Sequence, residues 1–137
     1  MGSRRTGAIM SDMGTFRIQV EIENPARPGE RRALGGMLVD TGSELSWVPA
    51  RELEALGVAR EKRMRFRQAT GIVIERWTGG TRIFAAETFA TDDVVFGEPG
   101  DLMLLGARTL EGLNVVIDPV TKRLVDAGPA PAAAAAA

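Results

Sequence analysis

The sequence predicts an all-β domain, closed or nearly closed, with one or two short helices. Three observations lead there. Short runs alternate apolar and polar residues, glycine and proline turn signals separate those runs, and no long helix is available for a parallel crossover pattern. Residues 13–126 of the 137 are read as a single domain. Residues 1–12 are poorly patterned and are expected to be a flexible N-terminal tail. Residues 127–137, with Gly128-Pro129-Ala130-Pro131 followed by alanines, read as a disordered Pro/Ala-rich tail.

The first strand is predicted over Gly14–Ile22. Phe16, Ile18, Val20 and Ile22 share one face, and Arg17, Gln19, Glu21 and Glu23 the other. Asn24–Gly29, with Pro25 and Pro28, is a turn. A return strand begins near Arg31 and runs through Gly35-Gly36-Met37-Leu38-Val39 to end at Asp40. Its last three residues are apolar without alternation, as in a strand buried on both faces. Ser46–Gly57 reads as a loop and a short helix, with Pro49 at the first turn, Leu53 and Leu56 on one face, and Gly57 as the stop.

Lys62–Gln68 alternates Met64, Phe66 and Gln68 against Arg63, Arg65 and Arg67. With a break at Thr70-Gly71 and a second extended run from Ile72 to about Trp77, this predicts a hairpin. Gly79-Gly80 is expected to turn, with Thr81–Phe84 extended after it. Val94–Phe96 and Leu102–Leu105 are short strands on either side of a turn at 97–100. Ala107–Gly112 is a helical turn, and Val115–Ile117 and Arg123–Val125 form a hairpin around Asp118-Pro119-Val120-Thr121.

The formal net charge of -1, with both signs mixed along the chain, argues against nucleic acid as a partner. No apolar run approaches the roughly 20 residues that span a bilayer. Met1–Met10 lacks the long apolar stretch of a signal peptide. No membrane association and a cytoplasmic location are therefore expected. The chain has no cysteine and no histidine. That removes disulfides, thiolate chemistry, histidine-assisted nucleophiles and most zinc sites. Hydrolytic chemistry would fall to carboxylates, lysine, hydroxyls or a metal on oxygen ligands; no cofactor and no metal are expected.

The chemistry centres on Leu38-Val39-Asp40-Thr41-Gly42-Ser43. An apolar strand delivers an acid into a tight turn, where backbone rather than a long flexible stem holds the carboxylate. Gly42 permits the close turn and keeps amides near the acid, and Thr41 and Ser43 supply short hydroxyls. An ordinary polar turn also accounts for these four residues taken alone. The apolar strand before them weighs against that, as does Leu104-Leu105-Gly106, which repeats the form of an apolar strand ending at glycine.

On these residues the chain resembles the retroviral-type (retropepsin-like) aspartic proteases, including their small bacterial members. Val39-Asp40-Thr41-Gly42-Ser43 is similar to that family's catalytic loop, and Ser46-Trp47-Val48-Pro49 lies where the family has the strand leading from it. Leu104-Leu105-Gly106 is similar to the second signature, and the run from Leu110 to Pro119 to the end of the bacterial relatives. The likeness spans roughly Gly14 to Val125. It implies an acid-protease fold with a flap hairpin, assembled as a homodimer in which two Asp40 carboxylates meet on the two-fold axis. By the same resemblance Asp40, Thr41 and Gly42 are catalytic. Asp40 is the acid, Thr41 bonds across the dimer and Gly42 orients the loop. Ser43 and the flap residues Ala69, Thr70 and Gly71 meet the substrate. The flap departs from the retroviral pattern in having one glycine at its turn.

The implied activity is that of an aspartic endopeptidase. Two adjacent carboxylates share a proton; the ionised one takes a proton from water, and the protonated one bonds the scissile carbonyl oxygen. The substrate would be an extended peptide with apolar side chains around the cut. The alternative is a non-catalytic dimerisation or peptide-binding module that keeps the fold. Of the other acids, Asp92-Asp93 is expected before a strand and facing solvent, and Asp118 is expected to shape a turn. Lys62, Arg63, Arg65 and Arg67 read as a solvated face. Trp47 and Trp77 could be core, dimer contacts or pocket lining; core or interface is favoured for Trp47, and Trp77 is left open.

Overall fold

A computed structural model of the chain describes residues 16–132 and is mostly β. The expected tail at 1–12, residues 13–15 and the last five residues of the expected C-terminal tail lie outside the described residues. The strands are β1 (Phe16–Glu23), β2 (Arg31–Val39), β3 (Ser46–Pro49), β4 (Lys62–Arg67), β5 (Val73–Ala85), β6 (Thr88–Gly97), β7 (Leu104–Leu105), β8 (Val115–Asp118) and β9 (Arg123–Asp126). The helices are α1 (Ala50–Ala55) and α2 (Ala107–Leu113).

Seven strands form one sheet in the order β1-β2-β7-β3-β6-β5-β4, and β5 also pairs with β1, so the sheet curls into a ring. β8 and β9 form a separate antiparallel pair. Two pairings inside the ring are parallel, β2 with β7 and β3 with β6. Neither needs a long crossover helix, because other strands of the ring supply the connection.

The alternation in β1 places Val20 and Ile22 in the core. Glu23 departs from the expected outward face. It is 3% exposed and accepts the Gly29 N–H at 2.7 Å, with Arg31 and Arg82 within 4 Å. Two cations and an amide compensate the burial of its charge. In β2, Gly35 and Gly36 stand opposite the single residue Gln19, a bulge in which Gly36 takes a positive φ. Beyond it Met37 and Val39 are fully buried and Leu38 is half-buried. Ile22, Met37, Val39, Val48, Ile83, Val94 and Leu105 fill the ring, each contributing about 1.5–3 kcal/mol by leaving water. α1 ends as expected, with Gly57 at a left-handed φ just beyond it.

The expected turn at Gly79-Gly80 is not there: β5 runs unbroken from Val73 to Ala85. Gly79 is needed for close approach. A Cβ on it would lie 2.2 Å from the Ala59 carbonyl oxygen and 3.1 Å from the Phe96 ring. The turn falls instead at Ala86-Glu87, both at positive φ, so β6 starts at Thr88 rather than Val94. That two-residue turn carries neither of its usual signals, asparagine or glycine. The expected strand at Leu102–Leu105 shortens to Leu104–Leu105.

The expected disordered tail begins in ordered contacts. Ala127 N–H donates to Asn114 O, the Asn114 side chain donates to Gly128 O, and Gly128 N–H donates to Asp126 Oδ1. Among the described residues no helix is long and apolar enough to cross a membrane.

Candidate active site

Asp40 follows directly on β2, where the strand runs beside β7. Leu38 N–H donates to Met103 O and Asp40 N–H to Leu105 O, each at 3.0 Å. The acid is thereby fixed to the strand that carries the second apolar signature. Its Oδ1 accepts the Gly42 N–H at 2.9 Å, and its carbonyl accepts the Ser43 N–H at 3.2 Å. A Cβ on Gly42 would come within 3.2 Å of that Oδ1, so glycine leaves room for the carboxylate to sit against its own turn.

The loop is pinned from the other side by α2. This helix has no side-chain N-cap; loop carbonyls satisfy two of its leading amides instead. Ala107 N–H donates to Ser43 O at 2.8 Å, and Arg108 N–H to Glu44 O at 3.0 Å. Gly106 is where loop and helix touch. A Cβ there would lie 2.5 Å from Leu45 O and 2.8 Å from Ser43 O. The two glycine-ended apolar segments of the sequence thus meet in space, one holding the other.

Beneath this contact runs a polar chain. Gly106 N–H donates to Ser46 Oγ at 2.9 Å, Ser46 and Thr109 hydroxyls meet at 2.6 Å, and Thr109 donates to Asp92 Oδ2 at 3.2 Å. Asp92 also accepts from Arg108 and from the Asp93 N–H. Its side chain is only 7% exposed, so the expected solvent-facing acid is instead the anchor of the network. The longer β6 accounts for the difference, since it carries Asp92 against α2.

Asp40 opens onto a groove of about 810 Å³. Gly42, Ser43, Leu45 and Trp47 line one side, and Leu102 and Leu104 another. β4 and the first part of β5 form a two-stranded arm that brings Met64, Phe66 and Ile74 to the groove. Trp47 lies with its ring centroid 5.1 Å from that of Phe66, so it lines the groove rather than the core, while Trp77 packs against the core. Of the expected substrate residues, Ser43 and Ala69 line the groove. Thr70 and Gly71 sit exposed at the tip of the arm, which Gly71 turns at a φ of 92°. Thr41 is exposed beside Asp40. Lys62, Arg63, Arg65 and Arg67 are exposed, but Arg65 and Arg67 also line the groove, so the expected solvated face is in part a groove wall.

At the root of the arm Arg76 meets Asp101 through two bonds of 2.7 and 3.0 Å. The Arg76 guanidinium, with the Glu98 N–H, holds the Asp101 carboxyl below the usual carboxylate range, and Asp101 raises Arg76 in turn. Asp118 is likewise lowered by the Thr121 hydroxyl and the amides of Val120 and Thr121, in keeping with its turn. Among the described residues, no three acidic side chains gather as metal ligands.

Chemically, the site offers one backbone-oriented carboxylate in a groove whose lining mixes apolar side chains with the charged Glu44, Arg65, Arg67, Asp101 and Arg108. Sequence reasoning weighted Trp47 away from pocket lining and missed Met64, Arg65, Phe66, Arg67, Ile74 and Leu102 as groove residues. The alternation in 62–68 signalled a buried face, and only the fold gives that face its destination. No protein-family model and no curated protein matches the chain.

Proposed function

We propose that this chain is half of a retropepsin-like aspartic endopeptidase, its sheet closed as a small acid-protease barrel and its active site completed by a second copy. The observation that carries the reading is the placement of Asp40. It lines the groove, oriented by Gly42 and fastened through Leu105 to the second signature, and the hairpin arm that lines the same groove would serve as the flap. Extended peptide would lie between the arm and the loop, with apolar side chains against Trp47, Phe66, Ile74 and Leu104.

One carboxylate per chain cannot serve as both base and acid in the same step, and a two-fold dimer supplies the second. The ionised Asp40 takes a proton from a water between the pair. The water oxygen bonds to the scissile carbonyl carbon as the protonated Asp40 gives its proton to the carbonyl oxygen. Collapse of the tetrahedral diol then breaks the C–N bond: the amine leaves with a proton from the carboxyl that took it from water, and a diol hydroxyl returns its proton to the other Asp40 carboxylate. Thr41, exposed next to Asp40, would bond the neighbouring loop.

The test is Asp40→Asn. Among the described contacts its side chain accepts one amide hydrogen bond, so the fold should survive with a change of about 1 kcal/mol or less. Peptide cleavage should fall by at least about 10²–10⁴-fold. Wild-type turnover in the purified variant between acidic and neutral pH would sink the assignment. A folded wild type that binds extended peptides without cutting them would favour the binding-module reading.

A further inference from the structure

A two-stranded hairpin is marginal by itself in water and holds one orientation only when something ties it down. β4 pairs with β5 alone, and β5 joins β6 only from Thr78 onward. The segment from Lys62 to Trp77 therefore projects beyond the ring as an arm. Side chains of the arm tie it to the body. The ring of Phe66 lies against Trp47, and Trp77 packs against the core. Arg76, which stands opposite Met64 and so shares the groove-facing side, pairs with Asp101 and, at 3.5 Å, with Glu98.

The Arg76 guanidinium presents Nε at 2.7 Å and a terminal nitrogen at 3.0 Å to the two oxygens of Asp101. Each side chain is 14% exposed. Asp101 also accepts the Glu98 N–H at 2.7 Å, while its own N–H closes the turn on Glu98 O. The fork thus grips a turn that is itself internally bonded. That turn leads straight into the groove wall, where Gly100, Asp101 and Leu102 all face the cavity. Leu102 is 60% exposed, an apolar side chain set in place by its neighbour's ion pair. A planar bidentate fork fixes an angle as well as a distance, which a lysine ammonium does not. Being largely out of water, the pair is little screened by salt.

We propose that Arg76 and Asp101 are positioning residues for substrate selection: their clasp sets the angle of the arm over the groove. With it they set the gap between Phe66 and Ile74 on one side and Leu102 and Leu104 on the other. The gap decides the size of apolar side chain accepted. The selectivity part rests on the peptidase reading; the mechanical part does not. The low-lying Asp101 carboxyl keeps the clasp charged in mildly acidic solution.

The experiment is amide hydrogen exchange on the wild type, Asp101→Asn and Arg76→Lys, with peptide cleavage on the same samples. Both variants should exchange the amides of Met64–Ile74 about tenfold faster, while those of β1 and β2 stay unchanged. The ratio of KM values for small against bulky apolar side chains at the cut should change by about tenfold, with kcat within about twofold. Unchanged exchange in the arm of both variants would overturn the clasp. Equal acceleration in arm and body would also overturn it, by showing a general stabiliser. A looser arm with an unchanged KM ratio would overturn the role in selection. A wild type that cleaves no peptide would count against the peptidase reading, and the exchange comparison would still decide the clasp.

Discussion

Gly106→Ala isolates the contact that holds the Asp40 loop to α2. The added Cβ would lie 2.5 Å from Leu45 O, 2.7 Å from Leu45 C and 2.8 Å from Ser43 O. All three are backbone atoms, so no side-chain rotation relieves them, and the loop must retreat by more than half an ångström to reach ordinary contact. Overpacking of this kind costs about 1–3 kcal/mol. The retreat also strains the bonds from Ala107 to Ser43 and from Gly106 to Ser46, each contributing about 0.5–1.5 kcal/mol. The combined loss is about 3 kcal/mol, or roughly 10 °C in Tm for a domain of this size. Gly80→Ala is the control, since nothing lies within 4 Å of its Cβ, and a change of about 0.5 kcal/mol or less is expected. Thermal and urea unfolding at one protein concentration read both variants. A Gly106→Ala protein as stable as Gly80→Ala would refute the claim that close packing of loop on helix holds the acid.

Two further outcomes follow from the polar contacts. Asp92→Ala strips the acceptor from Arg108 and from the buried Thr109 hydroxyl, and should cost about 2–3 kcal/mol in urea unfolding; a loss under about 0.5 kcal/mol would contradict the network. Asp101 has a folded pKa below its unfolded value, so its stabilisation is full above about pH 4 and fades as pH falls through the lower folded value. The stability gap between wild type and Asp101→Asn should be flat from neutral pH to about 5 and close only in stronger acid; a gap that closes between pH 7 and 5 would contradict that sign.

Much of the fold was legible because local patterns and tertiary burial agree. Phe16–Ile22 alternates, with Val20 and Ile22 buried and Phe16 and Ile18 half-buried; Met37–Val39 is apolar and packs between neighbours. The misses have physical causes. Gly79 looked like a turn because sequence does not distinguish a glycine that bends the chain from one that admits Ala59 O and Phe96 against a straight strand. Ala86-Glu87 hid a real turn because both residues take positive φ without the usual residue types. At the site, Asp40 and Gly42 were readable from one continuous motif. The meeting of Trp47, Phe66, Asp101 and Leu102 was not, since they reach the groove from three separate segments. Asp92 was misplaced for a related reason: its partners Arg108 and Thr109 lie 16 and 17 residues away.

The central claim is that two chains share one active site at Asp40, and a single dilution series tests it most directly. Sedimentation and peptide cleavage are measured on the same samples as protein concentration falls. Specific activity should track the dimer fraction and vanish with it, because mass action removes the site itself. Full specific activity in samples that sediment entirely as monomer would contradict the shared site.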